Sequence, residues 1–391
     1  MTSKVSENSP LLNPPLLLLN DGESSVSDKV HAVAEKVQGN ADFKLTIGRS
    51  ILYVIIDGIG GGRQASTGIG AASLLAGIPS VARVANAIIP IGLLITGPLC
   101  AGTAIAWTIP DARKNLKLAK EELQEASTPE AKKEALEAVQ IAELGVANHG
   151  LYLAMGVTQT AAGVTIMCGP EAAHVFHYTP LLMAHAATIA TSVTSAGLGA
   201  IYVARGTVML TRAVKNYRLV HDFHNNFQAC FNDGQESLEK AIELMENAEK
   251  SGSAYLDRRV DASCLTEKDE KNKIVKTYTA SGVKDINGTI TAYKTTEEKL
   301  NYLERVDKGI FTEELKHKVA MVIASVMIIG GILAIISAAI FTGGIALLII
   351  ALVSAIFFMS MEYIFIAYDS SSVFNSLRDR LYHKPKWFQK L

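Results

Sequence analysis

A glycine-rich stretch around residue 60 has the composition of a phosphate-binding loop. The apolar run 51–56 leads directly into Asp57 and the sequence Gly-Ile-Gly-Gly-Gly at 58–62. Such a run entering a glycine-rich turn can bind phosphate through its backbone amides. Arg63, however, stands where a dinucleotide fingerprint has its third glycine, and no Walker lysine follows in this stretch. We therefore interpret the stretch as a glycine-mediated helix contact or a flexible turn. The alternative is an enzyme that binds a phosphate-containing ligand at the Asp57 turn.

Three histidines between residues 174 and 185 are the second group with chemical potential, because imidazole is a common metal ligand. His174 and His177 share one face of a helix, whereas His185 lies beyond Pro180. The adjacent carboxylate is Glu171, and no cysteine or aspartate lies between the histidines to complete a ligand set. We interpret them as interfacial histidines that flank a turn.

The other residue types form no recognisable catalytic, cofactor or metal motif. The four cysteines are far apart without a Cys-x-x-Cys pair, which argues against a disulfide framework or a zinc site. No serine sits in a Gly-x-Ser-x-Gly nucleophile elbow. The sequence therefore predicts a non-enzymatic protein with no catalytic, cofactor-binding or metal-binding residues and no cofactor. The cysteines are Cys100, Cys168, Cys230 and Cys264.

The composition indicates a membrane protein. Of 391 residues, 49% are hydrophobic and only 19% are charged, and the mean hydropathy is +0.23. The formal net charge of −1 supplies no basic field, so no nucleic-acid partner is expected. Residues 1–42 are rich in Ser, Asn, Asp and Glu, and we expect a disordered tail without a cleaved Sec signal.

The longest uncharged run predicts a transmembrane hairpin over 319–368. No charged residue occurs from 319 to 361, and the Thr-Gly-Gly sequence at 342–344 divides this run into two segments of spanning length. The first arm, 319–340, holds eleven Val, Ile or Leu residues. The second arm carries only Glu362, placed where its carboxylate can reach the interface. A buried soluble hairpin is the alternative.

Apolar stretches in the first half have the same organisation. The runs 84–110 and 144–170 carry no formal charge, and 172–204 contains only histidines as ionisable groups. Their many Gly, Ala, Ser and Thr residues suit helices packed inside a membrane bundle, with a soluble helical core as the alternative. We expect one or two spans in 43–110 and two in 144–204. The fold class is then all-α, a multi-pass helical membrane protein with up to six spans arranged as three hairpins.

Charged regions between the apolar runs are expected to face water as helical soluble loops. In 111–143, two narrow apolar seams at helical spacing meet at a Ser-Thr-Pro break, which predicts an antiparallel helical hairpin. In 205–318 we expect a mostly helical soluble domain with helices at about 236–250 and 295–308. A basic, aromatic tail follows over 369–391.

The distribution of Lys and Arg orients the chain. The loop 111–143 and the tail 369–391 are rich in Lys and Arg, whereas 169–180 and 341–344 contain neither. Because short basic loops stay on the cytoplasmic side, both termini are expected to be cytosolic. Arg83, in the expected first turn, is the exception.

The two-lobed hydrophobic hairpin at 319–368, with its Phe-Thr-Gly-Gly turn, resembles the signature of chlamydial inclusion membrane proteins. The Ser-bearing N-terminus without a Sec signal is similar too, and the whole chain looks like multi-pass membrane proteins of Chlamydia and its relatives. The resemblance implies type III secretion into a host-derived inclusion membrane, with both ends in the host cytosol. The apolar stretches before residue 205 depart from the one-hairpin pattern, so the bacterial cell membrane is the alternative location.

We therefore expect an integral membrane protein that contacts the lipid bilayer and presents 111–143 and 205–318 to protein partners. In the inclusion membrane it would act as a secreted effector. A transporter or channel component in the bacterial cell membrane is the alternative, because small-residue spans with intramembrane polar groups are typical of transporters.

Overall fold

The described part of the chain is mostly helical. The computed structural model describes residues 51–126, 129–169, 174–175, 184–232, 236–251, 253–268, 274–339 and 371–383, together with 349, 352, 353, 355, 356 and 359. Helix accounts for 86% of these residues, which confirms the expected predominance of helix. The predicted tail 1–42, the turn 341–344 and most of the second hairpin arm lie outside the described residues.

Most of the described chain forms long helices, and a region of shorter helices and strands lies between α4 and α7. In chain order the helices are α1 over 51–75, α2 over Pro79–Glu125, α3 over Pro129–Met167, α4 over Ala184–Ala229, α5 over Glu236–Lys250, α6 over Ser253–Asp257, α7 over Thr296–Ala339 and α8 over Ser371–Leu381. The strands are β1 over Thr266–Lys268, β2 over Ile274–Thr279, β3 over Gly282–Asp285 and β4 over Ile290–Thr291. Within α2, the stretch Ala104–Thr108 is π-helical.

A glycine turn joins α1 to α2. Gly77 adopts a left-handed φ of +73°, which a residue with a Cβ rarely does. The amides of Gly77 and Ile78 donate to carbonyls in the last turn of α1, and Pro79 then begins α2. The first turn therefore lies at 76–78 rather than at Arg83, which is an exposed residue of α2.

The glycine-rich stretch 57–62 is helical and not a loop. It lies inside α1, where backbone amides donate to helix carbonyls and cannot surround a phosphate. This removes the turn on which the phosphate-ligand alternative was based. Instead, α1 packs closely on its neighbours: a Cβ added to Gly92 of α2 would lie 3.2 Å from the Cβ of Arg63. A Cβ added to Gly68 would lie 3.5 Å from the Cβ of Ala355 in the second hairpin arm.

Paired glycines let the other long helices cross at short distance. A Cβ added to Gly156 of α3 would lie 2.7 Å from the carbonyl oxygen of Gly97 in α2. A Cβ added to Gly331 of α7 would lie 2.6 Å from the carbonyl oxygen of Gly199 in α4. Lipid tails are as apolar as the side chains, so membrane helices associate through close packing at small residues. Both crossings have that character.

Neighbouring long helices are antiparallel, and their charged ends meet on one side. The charged segments are the ends of α2 and α4 and the beginnings of α3 and α7. Lys215 of α4 donates to Gln140 of α3 at 2.6 Å in these charged ends, whereas Gln159 of α3 meets Tyr202 of α4 in the apolar halves. The segment 111–143 is thus the continuation of α2 and α3, which run unbroken out of the apolar bundle.

The apolar bundle has the reverse of a soluble protein's polarity. Polar side chains such as Arg63, Thr96, Asn148 and Gln159 are buried inside it, while large apolar side chains point outward. Among the described residues, four helices, α2, α3, α4 and α7, are long and apolar enough to cross a membrane. These helices suggest an integral membrane protein. The outward apolar residues include Ile69, Val84, Ile88, Ile95, Ile105, Val157, Val164, Val193, Val322 and Ile332.

The charged ends form a head with its own hydrophobic core. The end of α4 and the beginning of α7 supply most of its largest buried side chains, and α5 packs against them with the bounds expected from the sequence. The expected helix at 295–308 is the start of α7, which continues to Ala339. The fully buried members of this core are Val220, Phe227, Ala241, Met245, Val260, Tyr302, Leu303, Val306 and Ile310, each at most 1% exposed.

The head also contains a small antiparallel sheet, which the all-α expectation did not include. Its strand order is β1-β2-β3-β4. Between β3 and β4, the Asp285 carboxylate accepts the amides of Asn287 and Thr289, and Gly288 has a φ of +84°. The sheet is attached to α7 by a hydrogen bond that the Arg305 guanidinium of α7 donates to the Glu267 carboxylate of β1 at 2.7 Å.

The crossing of α4 and α7 can be tested with alanine. Gly199→Ala should destabilise the protein by about 1–3 kcal/mol, because the new methyl overlaps the Gly331 carbonyl. Gly197→Ala on the same helix has nothing within 4 Å and should be neutral or slightly stabilising, since alanine is the better helix former. The measurement is the thermal midpoint of the detergent-solubilised full chain. Equal midpoints for the two variants would contradict the close crossing.

Candidate functional site at the junction of bundle and head

Polar side chains from different helices meet inside the apolar bundle. Thr96 Oγ1 of α2 lies 3.2 Å from Gln159 Oε1 of α3, and Gln159 Nε2 donates to the Tyr202 hydroxyl of α4 at 3.4 Å. Nearer the head, Arg205 Nε donates to Asn148 Oδ1 at 3.2 Å. A polar group in lipid is costly unless it finds a partner, so these contacts fix which faces of α2, α3 and α4 point inward.

Above the bundle, a histidine–carboxylate cluster links α4 to α7. His224 Nδ1 lies 3.1 Å from Glu314 Oε1, and its Nε2 lies 3.3 Å from Asp307 Oδ1. His221, one helical turn earlier, places its Nδ1 3.1 Å from the same Glu314 oxygen. Glu314 and Asp307 are buried, whereas His221 is half exposed. The cluster lies in the charged halves of both helices, outside the uncharged membrane segments.

The position of His224 between two carboxylates favours its cationic form. A neutral imidazole has one N–H and one lone pair, so one of its nitrogens would face a carboxylate without a proton. Burial lowers the pKa of His224, but its hydrogen bonds to Asp307 and Glu314 outweigh burial and raise the pKa to about 9. Burial likewise raises the pKa of Glu314, and the bonds from His224 and His221 bring it below its usual value. Gln228 Nε2 lies 3.0 Å from His224 Nε2, so a protonated ring requires the Gln228 amide to be turned with its oxygen toward the ring.

The same cluster attaches the C-terminal helix α8 to the head. The Tyr382 hydroxyl donates to Asp307 Oδ2 at 3.0 Å, and its ring packs on Phe311. Lys308 forms an ion pair with Asp379 of α8 at 3.0 Å. Burial and the neighbouring Asp307 carboxylate raise the pKa of Tyr382, so it stays a neutral donor. Asp307 therefore joins three helices.

A cavity of about 520 Å³ lies on the other side of α7, between the α2–α3 hairpin and the head. Two of its lining residues are paired: the Arg258 guanidinium donates to both oxygens of the Glu122 carboxylate, the shortest bond being 2.9 Å. A smaller cavity of about 180 Å³ adjoins it on the bundle side, and the two share Asn115, Ala142 and Arg212 as lining residues. A concave space of this size with convergent polar groups is the usual form of a ligand site.

Those residues singled out from the sequence that the structure describes lie in separate elements. Asp57 lies within α1, His174 is exposed, and His185 lies in the first turn of α4. His177 falls outside the described residues. Among the described residues, no group of three or more His, Cys, Asp or Glu has metal-binding geometry.

Sequence reasoning missed the cluster, although its signal is present. His221 and His224 are three apart and Asp307 and Glu314 are seven apart, so each pair shares one helix face. Opposite charge on two helix faces suggests a contact only if the two helices are known to be neighbours. The connection of some 66 residues between the two helices hid that adjacency.

Comparison with known proteins gives no relative. No family model, curated protein or solved structure matches the chain significantly. Any function must therefore be inferred from the geometry of the cluster, the cavity and the helices that hold them.

The His224 cation makes head stability dependent on pH. The pKa of His224 is about 9 in the folded protein and 6.5 in the unfolded chain. Its contribution to the free energy of unfolding is therefore fully present below about pH 6.5 and is lost as the pH rises through 9. The free energy of unfolding lost in this way is on the order of 3 kcal/mol. We expect the thermal midpoint to fall between pH 7 and 9.5.

His224→Gln should lower the midpoint at pH 7 and flatten this fall, because it removes the cation that two buried carboxylates share. The matched control is His221→Gln, a half-exposed pair whose loss costs about 0–1 kcal/mol. The His224 assignment is wrong if both variants keep the wild-type slope of midpoint against pH.

Proposed function

We propose that this chain is a non-enzymatic integral membrane protein that holds a folded head in the cytosol and uses it to bind partner proteins. The observation that carries the proposal is the single head formed by four helix ends. Helices that needed only to anchor the chain would end at the membrane surface. Here α4 has 46 residues and α7 has 44, roughly twice the length that a hydrocarbon core of about 30 Å requires.

The head is firmly connected to the spans, which suits a surface that must be presented in a fixed orientation. Arg258 and Arg259 pair with Glu122 of α2 and Glu134 of α3, respectively. These ion pairs join the α2–α3 hairpin to the segment after α6. A partner bound by the head would therefore be held at a defined height above the bilayer.

Both termini belong to the cytosolic side in this proposal, in keeping with the Lys and Arg of 111–143 and 369–391. In the form implied by the resemblance, the membrane is a host-derived inclusion membrane and the cytosol is the host's. Immunolabelling of infected cells would then mark the rim of the inclusion, whereas labelling of the bacterial envelope would assign the protein to the cell membrane.

Photo-crosslinking from the head tests partner binding. A benzoylphenylalanine at Lys117, Glu243 or Ile286, all exposed on the head, should give a discrete protein adduct when the full chain is irradiated in its membrane. The same probe at Ser80, at the opposite end of the bundle, should not. Absence of a discrete adduct from all three head positions would contradict the proposal.

Two natural cysteines provide the orientation control for that experiment. Cys168 ends α3 away from the head and Cys230 lies within the head, and both are half buried. In a background without Cys100 and Cys264, an impermeant maleimide should label Cys168 in sealed cells and Cys230 only after permeabilisation. The reverse pattern would place the head on the outer side.

A transporter is the second candidate, and one feature favours it. Arg63 of α1 is 6% exposed, and its Nε has no hydrogen-bond partner among the described residues. A buried cation at membrane depth is a frequent mark of an ion or substrate pathway. If this candidate is right, proteoliposomes should show ion flux that Arg63→Gln abolishes and the exposed control Arg83→Gln preserves. Flux equal to that of protein-free liposomes would count against it.

A further inference from the structure

The 520 Å³ cavity opens at the level where the membrane segments end. On α2, the uncharged run ends at Pro110, and Asn115 lines both cavities. On α3, the uncharged run begins at Leu144, and Ala142 lines both. The smaller cavity continues past this boundary to Thr108. The combined space therefore extends from the water-facing head into the depth occupied by lipid headgroups.

The lining changes in character around the cavity. The α2–α3 side is mostly apolar: it includes Asn115 and Glu122, and its other members are the small or aliphatic side chains Leu118, Ala119, Ala138, Ile141 and Ala142. The opposite side is charged: α4 contributes the Arg212 guanidinium, and the head and α7 contribute the carboxylates of Asp257 and Glu313. Arg258 is also in the lining, but its guanidinium is paired with the Glu122 carboxylate. An occupant that fits must be apolar along one side and carry both signs of charge along the other.

The charges have fixed positions. The side chain of Arg212 stacks against the backbone of Gly145, where a Cβ would lie 3.6 Å from its Cζ. Glu313 is 12% exposed and pairs with Lys316 at 2.6 Å. His317 also lines the cavity, with its Nε2 3.9 Å from Glu313 Oε2; burial and the neighbouring Arg212 lower its pKa to about 4, so it is neutral at pH 7. The site thus presents a guanidinium, carboxylates and a neutral imidazole.

We propose that this cavity binds the headgroup of a zwitterionic phospholipid from the adjacent leaflet. The phosphate bonds to the Arg212 guanidinium, which matches phosphate oxygens in geometry and charge. The ammonium group faces Asp257 and Glu313. The polar glycerol and ester region lies in the smaller cavity beside Thr108, Asn115 and His149, and the acyl chains continue from there into the bilayer. The measured volume is within the range of small-molecule sites.

The inference does not depend on partner binding by the head. It requires only that the four apolar helices cross a membrane, so that a leaflet lies at the mouth of the smaller cavity. A bound lipid would fill the space between the α2–α3 hairpin and the α4–α7 pair. It would therefore limit movement of the head relative to the membrane-spanning helices.

The test measures phospholipid retained by the purified full chain. Protein in mild detergent is incubated with phosphatidylethanolamine, exchanged into lipid-free detergent, and its bound lipid is quantified by mass spectrometry, with the thermal midpoint recorded in parallel. Wild type should retain about one molecule and gain thermal stability. Arg212→Gln should bind about tenfold more weakly through loss of a charge-assisted bond.

Two further variants separate binding from folding. Ala142→Phe fills the shared part of the two cavities without changing charge, and it should also lose the lipid. Arg218→Gln, exposed on the same helix as Arg212, should retain it. Because the filling variant keeps Arg212, its loss of lipid cannot be attributed to a missing cation.

Ligand controls identify the source of the phosphate. Inorganic phosphate and soluble phosphoethanolamine should give no midpoint shift at concentrations where the intact lipid does. A shift with inorganic phosphate equal to that with lipid would overturn the proposal in favour of a plain anion site. Wild-type retention in both Arg212→Gln and Ala142→Phe would overturn it as well, and so would equal retention of phosphatidylglycerol, which lacks the ammonium group.

Discussion

The contact between α4 and α7 is the constraint on which the rest of the structure depends. It begins among the spans at Gly199 and Gly331, where the two backbones touch, and ends in the head at His224, Asp307 and Glu314. The same pair of helices therefore forms part of the membrane bundle and the centre of the head core. A change in their crossing would move both, because packed helices shift as rigid units.

Different forces hold the two ends of this pair. In the bundle, apolar burial gives no gain against lipid, so the helices rely on close backbone approach and on buried polar contacts such as Gln159 with Tyr202. In the head, water restores the hydrophobic effect, and aromatic and aliphatic side chains such as Phe227 and Leu303 are buried completely. The histidine–carboxylate cluster lies between these two environments, where buried charge is stable only because each ion has a partner.

The cavity follows from this arrangement. The α2–α3 hairpin is joined to the head by the Arg258–Glu122 and Arg259–Glu134 ion pairs near its tip, and to α4 within the bundle by the Gln159–Tyr202 hydrogen bond. Between these two attachments the hairpin carries small side chains, Ala119, Ala138 and Ala142, which leave space against α4 and α7. A ligand bound at this position would contact both the membrane-proximal helices and the head.

The sequence alone determined the helical class, the longest uncharged segments and α5, because these depend on composition and on local periodicity. It also contained the Asn287-Gly288 hairpin signal within the sheet that the all-α expectation omitted. Only the tertiary structure decided that the glycines at 58–62 belong to a helix, that Gly199 meets Gly331, and that His224 lies between two carboxylates. Each of these depends on which helices are neighbours, and residues about 80 to 130 positions apart become neighbours through packing that no local pattern encodes.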